Sequence, residues 1–177
     1  MRGEVRNVGR KKRTPDELRR VSEHLHYEVQ MLLGSAQALA SETTADGTLR
    51  NALVESFAIH FRNMLDFLWP DKPKRKSDWV IAADFFPSPS DWEKLRPEIS
   101  QPLLDSRVRA AKEIAHLTYA RLAVEPEEKD WDVRQIANEV TRVVETFIRH
   151  VPMQFLGPKC TELKANIRVP FHVEETR

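Results

Sequence analysis

Apolar residues recur along most of this chain at spacings of three and four, the signature of helices that bury one face. The first such run starts after Thr14. Thr14 can cap, Pro15 suits the first helical position, and Glu17 completes a capping box. Leu18, Val21, Leu25, Val29, Leu32 and Leu39 then mark one face, and Asp46-Gly47 marks the turn that ends the unit. A second run, Thr48 to Trp69, is apolar over more than half its circumference and stops at Pro70. A helix of that kind belongs in the centre, covered by several neighbours. A third helix is expected from about Leu103 to Leu122, with Leu104, Val108, Ala111, Ala115 and Leu122 on its apolar face. A fourth is expected from about Asp130 to Val151, striped by Val133, Ile136, Ala137, Val140, Val143, Val144, Phe147 and Ile148.

Between the second and third helices lie about thirty residues, 71–100, rich in proline. That is too long for an ordinary connection in a compact bundle. Trp79, Val80, Ile81, Phe85, Phe86 and Trp92 should fold this insertion back onto the helices, with a short helical turn near Ser90 to Leu95. The C-terminal tail, 153–177, is the least regular part. Its "NIRVPFHV" could form a strand, which Pro170 confines to an edge or an extended arm. The pattern predicts an all-α fold: a basic arm (1–13), a bundle domain (14–152) of four main helices, and the tail.

Composition narrows the chemistry. Five glycines, none at a phosphate-loop spacing, argue against a nucleotide-binding loop. The formal net charge is +1, but "MRGEVRNVGRKKR" holds six basic residues against one acidic, and "DKPKRK" adds a second basic cluster. Such an arm can neutralise phosphates, although a solvated terminus is the commoner use. Cys160 is the single cysteine, so there is no intramolecular disulfide and no Cys-rich zinc site. No apolar run is long enough to span a bilayer, and no signal-peptide pattern is present, so the expected location is cytoplasmic, with no membrane partner.

The polar residues that stand out fall in two places. Arg109 and His116 are seven apart, within about 20° of one direction on an ideal helix. Glu113 and Tyr119 share that side, four residues after Arg109 and three after His116. On the second helix, His60, Arg62, Asn63 and Asp66 interrupt an apolar segment, and Arg62 could pair with Asp66. His60 lies on the apolar stripe and must satisfy its ring nitrogens when buried. These groups either fix how the helices register or face the third helix and complete a site with His116. A di-metal bundle needs a Glu-x-x-His pair on each of two helices. Only Glu113-Ile114-Ala115-His116 fits, so neither a metal nor another cofactor is expected.

The segment "RAAKEIAH" resembles the Arg-x4–6-His signature of the HEPN superfamily, with six residues between Arg109 and His116. "ESFAIHFRNMLDF" and "KEIAHLTYAR" also look like recurring segments of small bacterial proteins of HEPN-like character. The resemblance covers roughly 14–151. It implies a helical bundle, commonly a homodimer, and a metal-independent endoribonuclease of a toxin–antitoxin or phage-defence system, with RNA as substrate and a protein partner such as an antitoxin. Arg109 would stabilise developing phosphate charge and His116 would transfer protons, supported by Glu113, Tyr119, His60, Arg62 and Asn63. The residue after the motif arginine, often polar in that family, is Ala110 here. The rival expectation is a non-enzymatic helical interaction module of a defence or mobile-element system.

Overall fold

The computed structural model describes residues 12–41, 47–70, 78–114, 119 and 131–171. Among the described residues the fold is all-α, with six α-helices and no strand. These are α1 (Pro15–Ala40), α2 (Thr48–Leu68), α3 (Pro89–Leu95), α4 (Gln101–Arg109), α5 (Val133–His150) and α6 (Pro158–Asn166). A 3₁₀ turn spans Ala82–Phe85, and a π-helical turn, Ala110–Ile114, continues α4.

The capping box of α1 forms as expected. The Glu17 amide donates to Thr14 Oγ1 at 3.1 Å, and the Thr14 amide donates to the Glu17 carboxylate at 2.8 Å. In α5 the whole predicted stripe is buried, because eight apolar residues at helical spacing have only one way to leave water together. In α2 only the second half is enclosed. Leu49 stays exposed and Leu53 and Val54 are half-covered, whereas from Phe57 onward the apolar residues are buried except Ile59.

The insertion does fold back on its aromatics. Phe147 of α5 sits at the middle of a ring cluster, with Phe67, Phe85, Phe86 and Trp92 at centroid distances of 5.1–5.9 Å and near-perpendicular planes. Edge-to-face pairs of this kind add about 0.5–1.5 kcal/mol each beyond the area they bury. The same segment caps α2. Trp92 Nε1 and Arg96 Nη1 both donate to the Leu68 carbonyl, at 3.0 and 3.1 Å, which would otherwise be orphaned at the helix end.

Two expectations need correction. Over the described residues the third helix is α-helical across Gln101–Arg109 and then widens into the π turn, and its inner face there is offset by one residue; its expected remainder, 115–118 and 120–122, lies outside the described residues. Leu103 and Ala110 are buried, whereas Val108 is half exposed. The offset is possible because Arg107, on the same inner line, is neutralised by Asp66 of α2. The tail forms no strand among the described residues. It carries α6 instead, followed by an extended segment. Pro158 at the first helical position starts that helix. Buried Ser22 of α1 fastens it, accepting from the Gly157 amide at 2.7 Å while its own carbonyl accepts from Cys160 Sγ at 2.9 Å.

Candidate functional site

Arg109 is the last α-helical residue of α4 and lines an open groove of about 310 Å³ between α4 and the start of α5. Its guanidinium lies 4.8 Å from the centre of the Trp131 ring. Trp131 in turn meets Phe57 edge to face, which ties the groove wall to the core. Asp132 caps α5 by accepting from the Gln135 amide at 2.9 Å, so Trp131 is held just ahead of the first turn. On the α4 wall with Arg109 stand Asp105 and Ser106, and across the groove stand Asp132 and Gln135. Asp105 accepts from Gln101 at 2.8 Å. The groove can thus offer a planar cation stacked on an aromatic ring, flanked by hydrogen-bonding groups.

Trp131 is absent from the sequence-derived site because it sits in a segment that reads as a helix breaker. The signal that finds it is Asp132 followed three residues later by Gln135, a helix-start pattern that places Trp131 immediately before the cap.

His116 and the side chain of Glu113 lie outside the described residues. Tyr119 is 90% exposed. The second polar set is now assigned to its partners. His60 is only 8% exposed, and its Nδ1 meets Glu28 of α1 at 2.7 Å. Asn63 donates to the same carboxylate oxygen at 3.0 Å. The edge of this arrangement is Tyr27, whose ring stands perpendicular to the imidazole at 5.6 Å. His60 and Asn63 therefore face α1, and the expectation that they turn toward the third helix is corrected on that point. The cause is Glu28, which satisfies a buried imidazole and an amide at once. Its role could not be read from sequence, since it lies 32 residues from His60.

The expected Arg62–Asp66 pair does not form. Asp66 is taken by Arg107, whose Nη2 approaches it to 2.5 Å, a charge-assisted contact from α4. Arg62 is half-buried on α2. What α2 presents to α4 is thus Asp66, and what it presents to α1 is His60 with Asn63.

Cys160 is fully buried, and its thiol is pushed up to about 12, chiefly by burial and further by the Glu23 carboxylate. A thiol in that state supplies no nucleophile at neutral pH. Among the described residues, no three His, Cys, Asp or Glu side chains converge as metal ligands would. No described helix is long and apolar enough to cross a membrane. No protein-family model, curated protein or solved structure matches this chain.

Proposed function

We propose that the chain is an RNA-directed protein of HEPN-like type, acting as a metal-independent endoribonuclease in a toxin–antitoxin or phage-defence setting. The observation that supports this reading is the position of Arg109: it lines an open groove and stacks on Trp131. In the proposed reaction the RNA 2′-hydroxyl attacks the adjacent phosphorus as the bond from phosphorus to the 5′-oxygen breaks, and His116 takes the 2′ proton or returns one to the leaving 5′-oxygen. Arg109 stabilises the charge that builds on the phosphoryl oxygens. A homodimer would bring two copies of the pair together. An unpaired base could stack on the Arg109–Trp131 layer, a sequence-tolerant contact.

The test is RNA cleavage in EDTA by the wild type, Arg109→Ala and His116→Ala. Products ending in a 2′,3′-cyclic phosphate, and lost in both variants, support the reading. No cleavage of diverse RNAs by well-folded wild type would overturn it. A non-enzymatic interaction module is the second reading, and Asp105 and Asp132 favour it, since both carboxylates line the Arg109 groove and oppose a phosphate backbone.

A further inference from the structure

We propose that a separate trough, alongside α1, is a docking surface for a basic peptide segment of a partner protein, anchored by one apolar side chain. Two adjoining cavities of about 250 and 360 Å³ share Val21, His24 and Val80, and so form one trough beneath the 78–80 segment. It is lined from Arg13 to Glu28, a run of about 22 Å along a helix. That matches about six or seven extended residues and exceeds what a small amine would fill.

One end of the trough is apolar, floored by Leu25, Met64 and Phe67, with Trp79 and Val80 beside them. Val80 stands 39% exposed at the rim, an apolar side chain with room for a partner against it. The ionisable lining is mainly acidic. Glu17, Glu28, Asp66, Asp78 and Asp84 stand against Arg13, Arg20 and His24.

These carboxylates are not equally available. Glu17 is engaged by Arg13 and by the α1 cap, Asp66 by Arg107, and Asp84 by the Ile81 amide. Glu28 is different. It meets His60 and Asn63 through Oε2, and among the described residues its Oε1 carries no hydrogen bond. Asp78 is exposed and has no ion pair among the described residues. The trough therefore offers Glu28 beside the apolar floor and Asp78 in the adjoining cavity. It repels a polyanion and attracts lysine and arginine. An apolar side chain in the floor supplies contact area, and the flanking cations supply direction.

The experiment uses the full chain and a fluorescein-labelled peptide with a central leucine flanked by arginines and lysines, beside an acidic twin of the same length. Fluorescence anisotropy should show saturable binding of the basic peptide that weakens as salt is raised, and none of the acidic twin. Glu28→Gln with Asp78→Asn should weaken binding about tenfold or more, and Val80→Lys, which replaces an apolar contact by a like charge, should weaken it again. Unchanged thermal unfolding would exclude misfolding as the cause. Backbone amide shifts on titration should centre on Val21, Trp79 and Val80. Absence of saturable binding by the basic peptide would overturn the proposal, as would equal binding by the variants. Binding that emerges only after removal of residues 1–11 would assign the trough to the chain's own basic arm, and amide shifts at Val21, Trp79 and Val80 on titration with an oligonucleotide alone would assign it to nucleic acid. Either result would overturn a partner peptide as its occupant.

Discussion

Asn138 and Phe171 exchange two hydrogen bonds: the Asn138 amide donates to the Phe171 carbonyl at 2.9 Å, and the Phe171 N–H donates to Asn138 Oδ1 at 3.1 Å. A single side chain on α5 thus serves the extended tail as a neighbouring strand would, accepting from and donating to one residue. Asn138 is 4% exposed, so the exchange takes place largely out of water. Asn138→Ala removes both bonds and should cost about 1–3 kcal/mol. Denaturant midpoints measure the loss, and amide exchange at Phe171 should accelerate. Unchanged exchange at Phe171 would mean the tail is held by something else.

Gly157 is needed for space and not for its backbone angles, which any residue can adopt. A Cβ there would stand 2.2 Å from Glu23 Oε1 and 2.9 Å from the Arg19 carbonyl. Gly157→Ala must displace Glu23, whose Oε1 accepts from the Lys159 amide at the start of α6. The expected loss is about 1–3 kcal/mol, with earlier opening of α6 in hydrogen exchange. A variant as stable as wild type would show that α6 shifts at no cost.

Cys160 makes stability depend on alkaline pH. Its folded thiol titrates near 12 against an ordinary value of 9.0. The raised value means that its contribution is complete below about pH 9 and is lost as pH rises through the folded value, because the unfolded thiol ionises first. Urea unfolding midpoints should fall above pH 9 more steeply in the wild type than in Cys160→Ala. A thiol-reactive dye at neutral pH should label the protein only after denaturation. Rapid labelling of the native chain would contradict the burial.

Arg107 and Arg109 are two positions apart and should behave differently. Arg107→Ala strands the partly buried Asp66 and should cost about 1 kcal/mol. Arg109→Ala loses its contact with the Trp131 ring, worth about 0.5 kcal/mol, and should have the larger effect on RNA cleavage. Thermal melts and cleavage rates on the two variants separate the roles. If Arg107→Ala also abolishes cleavage without unfolding, the assignment of Arg109 as the phosphate-facing cation loses its support.

Local patterns were legible wherever one segment decides its own structure. The Thr14–Glu17 box and the α5 stripe need nothing beyond a few neighbouring residues, and both are read directly from spacing. Legibility fails where a distant partner decides. Leu103 looks no more buried than Leu104 until Asp66 is placed to accept Arg107, and only then does the inner face of α4 move by one position. The helix α6 carries a readable start in Gly157-Pro158, yet its attachment depends on Ser22 and Glu23, more than 130 residues earlier. At the candidate site, Arg109 was found from its motif and Trp131 was not, because a single aromatic before a cap carries no periodicity.

The π-helical turn, Ala110–Ile114, has a consequence for how this chain can vary. It begins one residue after Arg109 and winds with i→i+5 bonds, at roughly 4.4 residues per turn instead of 3.6. Counting residues from Arg109 as on an ideal helix therefore misplaces Lys112 and Ile114 within the turn. A widened turn takes up one extra residue without rotating what flanks it, so loss of one alanine from "RAAKEI" should be absorbed as a return to ordinary winding. Loss of a residue from the narrower turns of α4 would instead rotate Arg109 by about 100° about the helix axis. Length is forgiving at this turn and strict just before it.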